Sequence, residues 1–362
     1  MKINKVFILA LAAITFFTSC ENDDDLNEIP VAEGDYANGI FILNEGVFNS
    51  GNSTVSFLDE ETGTVVKDVF AAENSGAALG DTGQGMGFYE DYAFIVVNVS
   101  NTVEVVDRNS FETVATIDEG LQNPRHIAFT NRNAYVTNWG DGTNAEDDYV
   151  AVIDLENFTV SENISIEEGP EEIVEENGML YIAQNGGYSV NNKITVIDAS
   201  TNEVTETITV GNRPGSMEIE DGYLWVAVAG MGSYPDPAAE TAGKIVKIDL
   251  TSNEIASEFT FPNSTDHPAN LDIENDKIYY TLGKSVYTFN ETDTELPETA
   301  FAELTDVASL YGFEVENGNI YAASANADFT GDGDLFIYST ADGSLLNSYE
   351  VGINPNGVYF NE

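Results

Sequence analysis

Apolar residues come in short bursts along this chain. After the first twenty positions almost every apolar stretch is four to six residues long, rich in Val, Ile, Tyr and Phe, and bounded by Asn, Asp, Gly or Thr. Such runs predict β-strands rather than helices, so the chain reads as all-β. Set against itself, the pattern repeats. An aromatic follows a proline by eleven positions at Pro124 and Tyr135, Pro170 and Tyr181, Pro214 and Trp225, and Pro268 and Tyr279, while Gly83 with Phe94 and Leu310 with Tyr321 keep the spacing without the proline. Three positions into each copy stands an apolar side chain (Met86, Ile127, Ile173, Met217, Leu271, Phe313). Four positions before the aromatic, Asn131, Asn177, Asp221, Asn275 and Asn317 mark a tight hairpin turn. Each copy therefore opens with two short paired strands.

A third strand follows in each copy and ends on a polar residue: Val55 to Asp59, Val103 to Asp107, Val150 to Asp154, Ile194 to Asp198, Ile245 to Asp249, Val286 to Asn290 and Leu335 to Ser339. These seven recur at spacings of 41 to 51 residues, and a fourth strand comes after each, as in Val204 to Val210 and Glu254 to Phe261. The first unit has a second strand at Ile40 to Leu43 but no first strand before it. At the far end, Pro355 to Phe360 begins an eighth copy that stops after one strand. The arithmetic closes if the C-terminal strand completes the first unit. The pattern thus predicts a seven-bladed β-propeller of four-stranded antiparallel blades over residues 37–362, closed by its last strand so that no blade keeps an open edge. An open solenoid would leave the split first unit unexplained.

The N-terminus is different. Lys2 and Lys5 precede an apolar run from Val6 to Phe17, too short to span a bilayer, and then Thr18, Ser19 and the sole cysteine, Cys20. A basic start, a short apolar middle and small residues before a cut site predict a signal peptide over residues 1–19. Cys20 at the cut resembles the lipid-acceptor cysteine of bacterial lipoproteins, with Phe17-Thr18-Ser19-Cys20 a relaxed lipobox; the alternative is an ordinary signal peptide with a chance cysteine. Glu21, Asn22, Asp23, Asp24 and Asp25 follow, so residues 20–36 are expected to be an acidic tether. An acidic cluster after an acylated cysteine resembles the signal that carries lipoproteins of Bacteroidota to the outer face of the outer membrane. That resemblance implies lipid anchoring as the sole membrane contact, on the cell exterior.

Charge narrows the partners. The chain carries 63 Asp and Glu against 12 Lys and Arg, a formal charge of -51 at pH 7, and cannot assemble the basic patch that a nucleic acid or an anionic lipid surface requires. With 42% hydrophobic residues it still buries a large core. The acidity speaks to solubility and salt tolerance instead.

Ala134-Tyr135-Val136-Thr137-Asn138 contains the Tyr-Val-Thr-Asn signature of the YVTN, or YncE-like, β-propeller repeat, and Ile194-Thr195-Val196-Ile197-Asp198 is similar to its continuation. The resemblance weakens where Asn290 and Ser339 replace the aspartate. It implies architecture and says little of ligand. In layout, though in no ligand-contact motif, the chain is also similar to the cobalamin-capturing surface lipoproteins of the BtuG kind, which work beside TonB-dependent transporters.

In a propeller the loops from strand two to strand three and those from blade to blade emerge on one face. Here these are the irregular loops, and irregular loops on a rigid scaffold are where recognition is built. They bring Phe48, Asn49, Trp139, Asp141, Tyr188, Tyr234 and Phe329 from within blades, and Arg125, His126, Arg213 and His267 from between them. These eleven residues form the expected ligand-binding set. Aromatics suit a bulky, flat-sided ligand such as a corrinoid, and arginine can hold a carboxylate, phosphate or amide unless one of the many acids occupies it. The two histidines read as structural rather than as a metal pair. Asp328, Asp332 and Asp334 resemble a calcium loop but lack the closing glutamate, with Ser339 at that place. No phosphate loop, zinc spacing or nucleophile elbow occurs, so no catalytic residue and no cofactor is expected. The reading is a monomeric capture protein, with a protein-interaction module and a propeller enzyme of lactonase or lyase type as rivals.

Overall fold

The computed structural model describes residues 34–361. The signal peptide, Cys20 and the tether as far as residue 33 lie outside the described residues. Those described form seven four-stranded antiparallel sheets arranged in a ring, a seven-bladed β-propeller. Blade 1 is assembled from both ends of the domain. Strand Pro355–Asn361 pairs with Gly39–Asn44 in the register Ile40 to Phe360 and Ile42 to Val358, and Thr54–Asp59 and Thr64–Val66 complete the sheet. Blades 2 to 7 begin with inner strands Gly83–Tyr89, Pro124–Thr130, Pro170–Glu176, Pro214–Glu220, Pro268–Glu274 and Ser309–Glu316.

The Tyr-Val-Thr-Asn signature is a set of joints. The Tyr135 hydroxyl donates to the next blade at Ala199 O (3.2 Å) and Asn202 Oδ1 (3.0 Å). Thr137 Oγ1 donates to Glu171 O at 2.7 Å, again in the next blade, and accepts from His126 N. Asn138 is fully buried; its Nδ2 donates to Val136 O and its Oδ1 accepts from Gln122 N, so it ties the mouth loop to the strand. Val136 fills the core between blades. The aspartate closing strand three accepts backbone N–H groups of the turn that follows, as Asp198 does from Ser200 and Asp249 from Thr251. Where it is absent, Ser339 Oγ accepts from Ala341 N, and in blade 6 Asp293 accepts from Asn290 N instead.

Each inner strand carries an irregularity after its first or second residue, for example between Pro124 and Ile127, between Pro214 and Met217 and between Ala269 and Asp272. A bulge re-aims side chains, and here it turns the second and third residues toward the axis. Three local features differ from expectation. The fourth strands sit slightly early, at Glu203–Thr209 and Glu254–Thr260. A short helix, Val69–Glu73, capped by Asp68, follows blade 1. Tyr36, placed in the tether by sequence, is 6% exposed, packs against Phe57 and Phe111, and donates to Glu73 at 2.6 Å. A ring of that size, once it finds an aromatic pocket, belongs to the core.

Candidate functional site

The axis opens on the loop-bearing face as a funnel of about 710 Å³. Its walls are the bulged starts of the inner strands, so its lining repeats in layers. Counted from Gly83, Leu310 and the strand-opening prolines, the second position supplies the mouth, with Gln84, Arg125, Tyr311 and Asn356 lining it and Glu171 held behind them by Arg125. The third supplies the upper part of the floor: His126, Glu172, Ser216 and Asn270. The fifth supplies the base of the floor, Glu218, Glu314 and Tyr359, with the buried Asp272 hydrogen-bonded to Glu314 behind it.

At the mouth Arg125, Glu171 and Glu45 are all partnered, and Arg213 is the exception. The Arg125 guanidinium grips Glu171, Nη2 to Oε1 at 2.6 Å and Nε to Oε2 at 3.1 Å, donates to Gln84 Oε1 at 2.7 Å, and lies 4.0 Å over the Trp139 ring. Burial pushes the Glu171 carboxyl up, but Arg125 and His126, whose Nε2 is 3.6 Å away, outweigh it and bring it down to about 2. Beside this cluster Glu45 accepts from the Tyr311 hydroxyl (2.9 Å) and from Asn356 Nδ2 (3.2 Å); burial still raises its carboxyl.

The floor is the reverse. Burial raises Glu172 to about 7, against His126 and a hydrogen bond from Met217 N. Asp272, whose oxygens accept from Ile273 N and Val315 N, is raised by burial to about 6. Glu218 and Glu314 go well above the carboxylate range, first from burial and then from the acids Asp272 and Glu172, to which Glu314 adds Glu218 and Glu218 adds Glu220. Carboxyls that face carboxyls in a low-dielectric channel keep their protons. At neutral pH Glu218 and Glu314 therefore present O–H donors and carbonyl acceptors, while Glu172 is about half protonated and Asp272 mostly ionised.

The eleven residues expected from sequence do not form one site. Arg125, His126 and Arg213 line the funnel. Trp139, Asp141 and Tyr188 line a smaller crevice of about 100 Å³ beside it, with the Trp139 and Tyr188 rings edge to face at 5.6 Å. Phe48, Asn49, Tyr234, His267 and Phe329 line neither. Phe48 and Tyr234 stand out into solvent, 68% and 88% exposed. Asn49 donates its N–H to Asp81, and Phe329 packs on Tyr311 at 5.9 Å, one ring removed from the mouth. Of the two arginines only Arg213 keeps its guanidinium exposed, with one long bond to Ser189 O; Arg125 is taken by Glu171.

The histidines do not meet. His267 hydrogen-bonds Ala229 O (2.8 Å) and Glu240 (3.4 Å), while His126 faces Glu171. The aspartates of the calcium-like loop are likewise engaged apart: Asp328 accepts from Thr330 N and Gly331 N, Asp332 pairs with Lys67 at 2.7 Å, and Asp334 lies within a strand opposite Glu350. Sequence reasoning passed over the acids of the floor. Their signal was position, since acids recur at one place in three successive inner strands.

A family model described as a domain of unknown function, DUF5074, matches residues 38–360. No curated protein matches the sequence. Among solved structures, the fold is similar to a hypothetical selenium-binding protein from Sulfolobus tokodaii (TM-score 0.66, 10% identity, 89% of this chain and 93% of that one). It is similar as well to a putative 6-phosphogluconolactonase from Bacteroides uniformis (0.64, 13%, 90% and 99%) and to BamB from Moraxella catarrhalis (0.53, 14%, 91% and 90%). Likeness at these identities speaks to fold alone.

Proposed function

The chain belongs to the DUF5074 family, and for this member we propose capture of a bulky, amide-bearing small molecule in the axial funnel. One observation carries the reading: a cavity of about 710 Å³ on a rigid ring, open on the face where the irregular loops lie, and polar from mouth to floor. Ligand pockets fall in this size range. Protonated floor carboxyls accept and donate hydrogen bonds, which suits a ligand fringed with primary amides. Arg213 supplies a free donor, and the Trp139 and Tyr188 rings, edge to face in the adjoining crevice, offer apolar surface. A corrinoid has this chemistry. The protein works as a monomer held to the outside of the outer membrane by acylated Cys20, handing its ligand to a TonB-dependent transporter.

Titration calorimetry of the Cys20→Ser protein with cyanocobalamin, cobinamide, a ferric siderophore and oligosaccharides tests the proposal. One-to-one binding of a corrinoid is expected, weakened in Tyr188→Ala or Trp139→Ala by about 2 kcal/mol each, as for buried aromatic anchors. A folded protein that binds none of them, or whose binding survives both substitutions, would contradict it. Fatty-acid labelling that persists in Cys20→Ser would contradict the anchor.

A second reading, hydrolysis or elimination by a propeller enzyme, is favoured by Glu172, whose carboxyl near pH 7 is poised for proton transfer beside His126. Turnover of a lactone by wild type, lost in Glu172→Gln, would establish it over capture.

A further inference from the structure

The face opposite the funnel is made of short turns, and one seam on it, between blades 5 and 6, departs from the repeat. In three other blades the strand-two aromatic ties its blade to the next through a hydroxyl, as Tyr135 does to Asn202, Tyr181 to Asn253 and Tyr321 to Glu60, while blades 1 and 2 carry Phe41 and Phe94 there. In blade 5 that aromatic is Trp225, whose buried Nε1–H has no acceptor. The third strand changes too. Lys247 occupies the place held by the buried valines Val152 and Val196 in the two preceding blades. Its ammonium lies 4.0 Å over the Tyr223 ring, 4.5 Å over that of Trp225, and 3.4 Å from Glu291 Oε2.

Glu291 is the centre of the anomaly. Its side chain is 10% exposed, and its second oxygen, Oε1, is buried with no hydrogen-bond partner. An orphaned carboxylate oxygen costs several kcal/mol of lost hydration unless something charged or polar meets it. Two further carboxylates close on it: Glu220, at the end of the blade 5 inner strand, and Asp276, in the blade 6 hairpin turn, whose carbonyl accepts the Glu291 N–H at 3.1 Å. One oxygen of each of the three lies within 4.8 Å of the others. Three acids against one ammonium leave a formal charge of about −2 in a half-buried seam, where like charges repel strongly.

We propose that Glu220, Asp276 and Glu291 hold a hydrated divalent cation of the calcium class on this seam. Three carboxylates with no nitrogen or sulfur donor among them suit a hard cation. Ligands drawn from a strand end, a hairpin and a second strand end give an irregular set, which calcium tolerates and magnesium, with its strict octahedron, does not. Lys247 keeps Glu291 Oε2, the cation takes Oε1, and the seam returns to neutrality. The cation thereby clips blade 5 to blade 6 where the tyrosine bridge is missing. The site is independent of the funnel and of what the funnel binds.

Terbium luminescence tests it, because Tyr223 and Trp225 adjoin Lys247 and Glu291 and can sensitise a terbium ion bound in calcium's place. The purified protein is titrated in about 0.5 M NaCl, which screens the diffuse attraction of so acidic a chain. Saturable sensitised emission is expected, displaced by calcium at lower concentration than by magnesium. Glu291→Gln should abolish it, but that change also disturbs the Lys247 pair. Glu220→Gln and Asp276→Asn, at less buried positions, are the deciding variants: each should raise the half-saturating terbium concentration about tenfold or more, and calcium should raise the Tm of wild type but not of either variant. Emission that never saturates, or that saturates alike in wild type and both variants, would overturn the site. So would loss of emission on Asp328→Asn instead.

Discussion

Mouth and floor of the funnel are built from the same residue types a few ångströms apart along the same strands, and they end in opposite charge states. Glu171 is ionised down to a pH of about 2 because Arg125 grips it from two sides. Glu172, the next residue, titrates at about 7 because burial is answered only in part, by His126 and one backbone N–H. The lesson is that burial raises every carboxylate in this axis, and only a cationic neighbour around the ring, as Arg125 is to Glu171, reverses it. A paired acid fixes the wall. Unpaired acids hold protons and give a surface of donors and acceptors that a neutral, amide-rich ligand can use.

The comparison is broken most completely by removing the strand that spans both levels. Deleting residues 355–361 takes Asn356 from the mouth and Tyr359 from the floor and exposes the backbone of Gly39–Asn44. We expect either no cooperative unfolding or a Tm lowered by more than about 10 °C; an unchanged melt would contradict closure of blade 1. Arg125→Ala comes next, since it strands Glu171 without its counter-charge. A loss of about 3–5 kcal/mol is expected in urea unfolding, and Arg125→Ala combined with Glu171→Gln should recover most of it.

The pH dependence of stability sharpens the contrast, because the two levels have opposite signs. Glu171, depressed in the fold, contributes stability that is present above its unfolded value of about 4.5 and is lost as pH falls toward 2. Glu172, raised in the fold, contributes stability that is present below about 4.5 and is lost as pH climbs toward 7. Tm should therefore peak near pH 5. Glu172→Gln should reduce the alkaline limb, to which Asp272, Glu218 and Glu314 also contribute, and leave the acid limb alone; equal change in both limbs would refute the separation. The smallest effect concerns the frame that holds both levels. Tyr135→Phe removes one inter-blade hydroxyl and should cost about 1 kcal/mol, whereas Phe48→Ala, on an exposed loop, should cost nothing measurable.

The fold was legible because a repeat compares itself with itself. The proline-to-aromatic spacing, the turn asparagines and the split first unit needed no outside reference. Loop irregularity likewise marked the open face. What stayed hidden was the axis. Glu218, Asp272 and Glu314 sit at polar positions of alternating strands, and in most sheets such a position faces water, so they read as solvated. Only the closed ring makes that side an interior. Arg125 drew notice by its rarity, but its partner lies 46 residues on, at the same place in the next repeat, and is found by aligning the copies rather than by reading along the chain. Tyr36 was misplaced for a related reason: the pocket of Phe57 and Phe111 that receives it is assembled from two blades.

The most direct measurement is a carbon-detected NMR titration of the Asp and Glu side-chain carboxyls, assigned through Glu171→Gln, Glu172→Gln and Asp272→Asn. The account predicts that the Glu171 carboxyl stays ionised to about pH 2, while Glu172 and Asp272 take up protons near 7 and 6. Midpoints near 4 for all three would contradict it, and with it the view of the funnel as a charged mouth over a protonated floor.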